Sequence, residues 1–244
     1  MGIILCKMCL QNKEGVDSHI IPASFYRFIK DGSNEPLEVR PLEEGKYKKR
    51  SHTGIYDRTI LCGDCEKLFQ DYDDYAQKLL LPDPKEAEFI LNQKEERRGY
   101  KLNKINYSYL KLFFLSVLWR ASVSTREEFT KVNVGPFEQT LRTMIINKDP
   151  GSQDDFSIVV SRFDDYLGKR FLLNPHKTKI TGLNYYILYL GAGYKFYIKV
   201  DSRPLYGVLS ALILKPNQPF YIPFLEDFSE SKELNILKKI VMKN

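Results

Sequence analysis

Hydrophobic and polar positions recur along this chain with two different periods. Between residues 66 and 80, Leu68, Phe69, Tyr72, Tyr75, Ala76, Leu79 and Leu80 return every three or four positions and form one helical stripe. Pro82 and Pro84 end it. Asp83-Pro84 then reads as the cap and first residue of a second helix, which Gly99 terminates. Residues 106–123 are apolar nearly all round, the mark of a buried helix, and carry the single Trp119 beside Arg120. Ser124 followed by Glu127 has the spacing of a capping box for a short helix. Gly135-Pro136 opens another, with Phe137, Leu141 and Ile145 on one face.

From about residue 151 the period changes. FSIVVSRF (156–163), NYYILYL (184–190), YKFYIKV (194–200) and LYGVLSALIL (205–214) are β-branched and aromatic, and turn residues bound most of them. Gly191-Ala192-Gly193 reads as a hairpin turn, and His176, in Asn174-Pro175-His176, as part of another turn without a role. Residues 231–242 return to a helical pattern. The expectation is an α+β protein in three parts: a cysteine-bearing module over 1–81, a helical region over 82–150 and a β-rich region over 151–244.

Composition changes this picture little. The 244 residues are 43% hydrophobic and 28% charged, ordinary for a globular protein. The formal charge of +6 falls to about +4 if four thiolates hold one Zn²⁺, so it permits a nucleic-acid partner without arguing strongly for one. No secretory signal is visible, and the longest apolar run, 112–119, is far too short to span a bilayer. A cytoplasmic protein with no membrane partner is the expectation.

The cysteines carry the most specific signal. Cys6-x-x-Cys9 and Cys62-x-x-Cys65 can place four thiolates around one ion, a structural Zn²⁺ site without an open position. A redox-active pair is the competing reading, but that ordinarily needs one such motif in a thioredoxin-like context. Between the pairs lie Ser18-His19-Ile20-Ile21-Pro22 and Ile55-Tyr56-Asp57-Arg58-Thr59-Ile60-Leu61, and Glu66 follows Cys65 directly.

Together these strings resemble the zinc-stapled branch of the HNH, or His-Me finger, endonucleases. The resemblance covers about the first 75 residues and implies a ββα treble clef that hydrolyses phosphodiester bonds of nucleic acid, DNA favoured, with one divalent ion such as Mg²⁺ or Mn²⁺. His19 takes the general-base position. Asp57 takes that of the middle Asn, which holds the loop and orients the base, and Glu66 that of a metal-binding residue. Ser18 stands where the family usually has a metal-binding Asp or His. Helical offsets put Glu66, Gln70 and Asp73 on the face opposite the apolar stripe, free to line a cleft. Glu66, Asp73 and either Asp57 or Asp17 then offer oxygen ligands. The alternative is a clef that binds nucleic acid or serves as a scaffold without chemistry, in which His19 only hydrogen-bonds the backbone. Lys46-Tyr47-Lys48-Lys49-Arg50 is a basic cluster able to meet phosphates or simply be solvated, with His52 incidental. The chain also resembles bacterial proteins of the SHIIP/CxxC…CxxC type, which implies a prokaryotic setting where HNH nucleases often serve in antiphage defence. The β-rich part is expected to sense, bind a protein partner or form a homo-oligomer.

Overall fold

The computed structural model of the chain describes every residue except 1, 31–36, 40–48, 52, 82, 85, 171, 202, 233 and 235–244, with the backbone alone at 37–39, 49 and 50. Helix and strand are mixed, as the two sequence periods predict, and the class is α+β. Strands β1 (Ile3–Leu5) and β2 (Asn12–Glu14) form a hairpin whose turn carries Cys6 and Cys9. Next come β3 (Ser18–His19) and the helix α1 (Ala23–Lys30), then the paired strands β4 (Leu37–Val39) and β5 (Lys49–Ser51). Strand β6 (Tyr56–Asp57) pairs antiparallel with β3, setting Ser18 opposite Asp57 and His19 opposite Tyr56. Helix α2 (Gly63–Leu80) follows at once. Its buried side is the predicted stripe, with Phe69, Tyr72, Ala76 and Leu80 inside.

The next segment departs from the prediction. Residues 86–99 form no helix; a hairpin of β7 (Ala87–Leu91) and β8 (Arg97–Leu102) takes their place. Asn92 closes its turn by accepting from the backbone N–H groups of Lys94 (2.9 Å) and Glu96 (3.0 Å). Gly99 is a strand residue at a close backbone approach, since a Cβ there would meet Ile222 O at 2.6 Å. Helix α3 (Tyr107–Val123) is the buried helix expected, started by Asn106 Oδ1 accepting from Tyr109 N. Every residue from Leu110 to Ala121 is buried. Ser124 does not cap the 3-10 turn Glu127–Phe129, whose cap is Arg126; its hydroxyl donates to Asp57 instead. Helix α4 (Glu138–Ile146) buries Leu141, Met144 and Ile145, and Glu138 accepts from Trp119 Nε1 at 2.7 Å.

Beyond it lie β9 (Ile158–Arg162), the single-turn α5 (Tyr166–Lys169), β10 (Leu173–Ile180), β11 (Leu183–Leu190) and β12 (Tyr194–Lys199). The sheet order is β10-β11-β12-β9, antiparallel throughout. The predicted turn at 191–193 joins β11 to β12; Gly193 has φ 85°, and a Cβ there would meet Phe163 O at 2.1 Å. His176 is not in a turn but in β10, its ring parallel to that of Tyr189. The stretch 205–214, predicted as a strand, holds the one-turn helix α6 (Val208–Ala211) and a lone bridge from Ile213 to Val159. Gly207, at φ 76°, breaks the extended run just before α6. Strand β13 (Phe220–Pro223) then pairs with β8, completing a sheet of order β13-β8-β7.

Of the helix expected over 231–242, Lys232 and Leu234 are helical and residues 233 and 235–242 lie outside the described residues, as do the 46–48 part of the basic cluster and His52. One apolar cluster takes in Cys6, Phe69, Phe113, Leu141, Phe196 and Ile222, so the three parts of the sequence share a core. Phe69 stacks on Trp119 at 6.2 Å and Phe114 meets Phe196 at 4.4 Å, which places α3 between α2 and the larger sheet. Among the described residues no helix is long and apolar enough to cross a membrane.

Candidate functional site

The four cysteines converge. Their sulfur atoms all lie within 4.8 Å of one another, and Cys6, Cys62 and Cys65 are buried. A tetrahedral Zn²⁺ at about 2.3 Å from each thiolate needs sulfurs roughly 3.8 Å apart, so the group fits a structural metal such as zinc. Cys6 and Cys9 sit in the β1–β2 turn, which Leu10 closes at φ 60° by donating from its N–H to Cys6 O. Cys62 caps α2 and Cys65 lies in its first turn. Backbone bonds lace the halves together: Lys7 N donates to Ile60 O at 2.8 Å, Val16 N to Leu61 O at 3.1 Å, and Cys62 N to Cys6 Sγ at 3.5 Å. Gly15 pairs with Cys62, and a Cβ on it would meet Arg58 O at 2.3 Å, so the approach demands glycine. Burial pushes the Cys6 thiol up, but N–H donors from Cys9, Cys62 and Met8 outweigh it and bring the pKa down to about 7. Burial and the neighbouring sulfurs push Cys65 up. Such a crowded set of thiols is best relieved by a bound cation.

His19 lies at the end of β3 and is half-buried. Its Nε2 is 3.2 Å from Thr53 O. A carbonyl only accepts, so Nε2 carries the hydrogen and Nδ1 holds the lone pair of the neutral ring. Burial, with the Arg120 charge adding to it, lowers the imidazole pKa from its ordinary value and favours that neutral form. The Thr53 carbonyl is itself held. Gly54 turns the chain at φ 96° against the Tyr26 ring, Ser51 Oγ donates to Gly54 O at 2.6 Å, and Gly54 N donates back to Ser51 Oγ at 3.0 Å.

Asp57 is buried, and its carboxylate accepts five hydrogen bonds. Thr59 N (2.9 Å) and Thr59 Oγ1 (2.7 Å) reach Oδ1; Ser124 Oγ (2.9 Å), Thr125 N (2.7 Å) and Thr125 Oγ1 (3.1 Å) reach Oδ2. Burial raises its pKa, but these donors outweigh it and hold the carboxyl below the usual range. Asp57 therefore ties β6 to the end of α3, and its oxygens are used up in that role.

The polar face of α2 does not lie open as expected. Asp73 Oδ1 and Oδ2 accept from Arg120 Nη2 (2.9 Å) and Nη1 (3.1 Å), and Asp17 is paired with Arg58 on the surface. Glu66 is the acidic side chain of this face without an ion pair among the described residues. Burial raises its pKa, and the Arg120 charge and the nearby Ser18 hydroxyl oppose that. Ser18 Oγ approaches the Glu66 carboxylate, yet neither it nor Glu66 Oε2, both buried, has a hydrogen-bond partner of good geometry. Among the described residues the cysteines are the one group of three or more His, Cys, Asp or Glu side chains close enough to share a metal. The structure thus brings the Ser18 hydroxyl to the Glu66 carboxylate and sets His19 next along β3, with Asp57 clamping the frame and Asp73 neutralised by Arg120. Sequence reasoning missed Thr53, which has no distinctive chemistry, and the partners of Arg120. An arginine within an apolar helix signals a buried ion pair, but only the fold names Asp73.

No protein-family model, curated protein or solved structure matches the chain.

Proposed function

We propose that the N-terminal module is an HNH-type endonuclease centre that hydrolyses phosphodiester bonds of DNA in a prokaryotic, antiphage setting. The observation that carries the reading is His19. It is a neutral imidazole with Nε2–H fixed on Thr53 O, which leaves Nδ1 to take a proton from water, and it lies between the two converging cysteine pairs; a ββα treble clef is the frame we infer for it. The unpartnered Glu66 Oε2 and Ser18 Oγ fit an oxygen-seeking ion such as Mg²⁺ or Mn²⁺, which commonly keeps one or two carboxylates and takes the rest of its shell from water and phosphate. When bound, such an ion polarises the scissile phosphate and stabilises the leaving oxygen. Asp57 holds the frame, and the region over 151–244 supplies partner binding or self-association. The exposed Tyr166, Leu167, Tyr206 and Val208 favour such contacts.

The test is incubation of the zinc-loaded protein with single- and double-stranded DNA and RNA, with Mg²⁺, Mn²⁺ or Ni²⁺. Cleavage is expected, together with its loss in His19→Ala while zinc content and circular dichroism stay unchanged. Absence of cleavage with every ion and substrate overturns the reading. A second reading draws on the pairing of Asp73 with Arg120, which leaves Glu66 alone as an acidic ligand: a clef that binds nucleic acid without cutting it. It expects binding with a steep salt dependence and no effect of His19→Ala.

A further inference from the structure

Arg120 is fully buried, on a helix that lies outside the cysteine-bounded segment. Its guanidinium has five N–H donors, and all five are engaged. Nε donates to Ser116 O (3.4 Å); Nη1 to His19 O (3.0 Å) and Asp73 Oδ2 (3.1 Å); Nη2 to Asp73 Oδ1 (2.9 Å) and Ser116 Oγ (3.3 Å). The group lies over the Phe69 ring at 4.8 Å, which fixes its plane. One side chain thus joins α2, α3 and β3. Strand β3 is only two residues long, so its own ladder is a weak anchor for the residue at its end. The carbonyl of His19 has Arg120 as its donor.

We propose that Arg120 is a positioning residue for His19: by gripping the His19 carbonyl it holds the imidazole where Nε2–H meets Thr53 O, and so leaves Nδ1 as the proton acceptor. The proposal rests on the reading of His19 as the general base, and adds that α3 completes the site. No other side chain type matches the donor set. Lysine, with three donors on one atom, cannot span a bidentate carboxylate, a carbonyl and a hydroxyl at once.

The test reads the ring directly. Long-range ¹H–¹⁵N spectra of the zinc-loaded full chain, with His19 assigned by its absence in His19→Ala, report which nitrogen carries the hydrogen. The wild type is expected to show one tautomer, protonated at Nε2. In Arg120→Met and Arg120→Lys the ring is expected to leave Thr53, the Nδ1–H form rising from a trace to a clear minority, as for an unheld imidazole, which itself favours Nε2–H. Asp73→Asn keeps the Arg120 bond to His19 and is expected to keep the single tautomer. If Arg120→Met does not fold, Arg120→Met with Asp73→Leu removes both charges from the interior and still lacks the donor to His19. A single Nε2–H tautomer in a folded variant without Arg120, with zinc content intact, overturns the proposal. Where cleavage is measurable, kcat falls with KM unchanged. Wild-type protein that never cleaves but shows these tautomer changes refutes the nuclease reading and leaves the positioning role standing.

Discussion

The cysteine cluster and the His19 site share one helix, α2, yet they are held in different ways. The cysteines converge through two short motifs, and each thiol is brought in by the turn that carries it. The His19 site draws on five separate places: β3 for the imidazole, the turn at Thr53 and Gly54, β6 for Asp57, α2 for Glu66 and Asp73, and α3 for Arg120. The first is a local device that one ion can close. The second is a meeting point of elements that stays in register only while the shared core holds them. Damage to the staple should therefore spread to the site, while damage to the site should leave the staple intact.

The largest effect is expected from metal removal. Structural Zn²⁺ in small zinc modules contributes about 10–16 kcal/mol of apparent binding energy, which is also folding energy. Chelation, or Cys62→Ser, should unfold the N-terminal module, seen as loss of zinc and of cooperative melting by circular dichroism. Arg120→Met comes next, at about 3–5 kcal/mol, because it leaves the Asp73 carboxylate without its buried partner. Zinc content should stay at one ion per chain, and retention of both stability and the His19 geometry would erase the contrast between the two regions. Gly54→Ala should cost about 3 kcal/mol, since φ 96° disfavours a side chain and a Cβ there would meet the Tyr26 ring at 2.2 Å. It should displace Thr53 O and lower any cleavage activity more than it lowers zinc content.

Asp57→Asn is the smallest, at about 2 kcal/mol near neutral pH, through loss of charge-assisted hydrogen bonds. Its signature is a pH dependence. The folded pKa of Asp57 lies below its ordinary value, so its stabilisation is complete above an unfolded pKa near 3.9 and is lost as pH falls through the lower folded value. Wild-type and variant melting temperatures should therefore converge below pH 4.

These differences explain what could be read in advance. The cysteine pairs, the stripe on α2, the buried α3 and the turn at 191–193 all express themselves within a few residues, and all are present. The hairpin β7–β8 was hidden because Glu86, Ala87, Glu88, Gln93, Lys94 and Glu95 favour helix. A partner strand from much later in the chain overrides that preference. The stretch 205–214 has the composition of a strand, yet only Ile213 finds a bridge there, and Gly207 bends the chain away. Likewise, helical offsets place Glu66 and Asp73 on one face, as the structure has it, but no spacing rule reports that Arg120 waits opposite. Periodicity describes a residue's own element, and the site is made of relations between elements.

The pairing of β8 with β13 carries a consequence for how the chain is made. Leu102 and Phe220 face each other across the ladder, although the ribosome adds Phe220 well over a hundred residues after Leu102. At ordinary translation rates that interval is on the order of ten seconds. Throughout it β8 presents an open edge, paired only with β7. The cysteine module can close around an ion soon after α2 emerges, but the β13-β8-β7 sheet waits for β13. Nascent chains stalled before residue 220 should therefore hold zinc while still engaging chaperones through the bare side of β8.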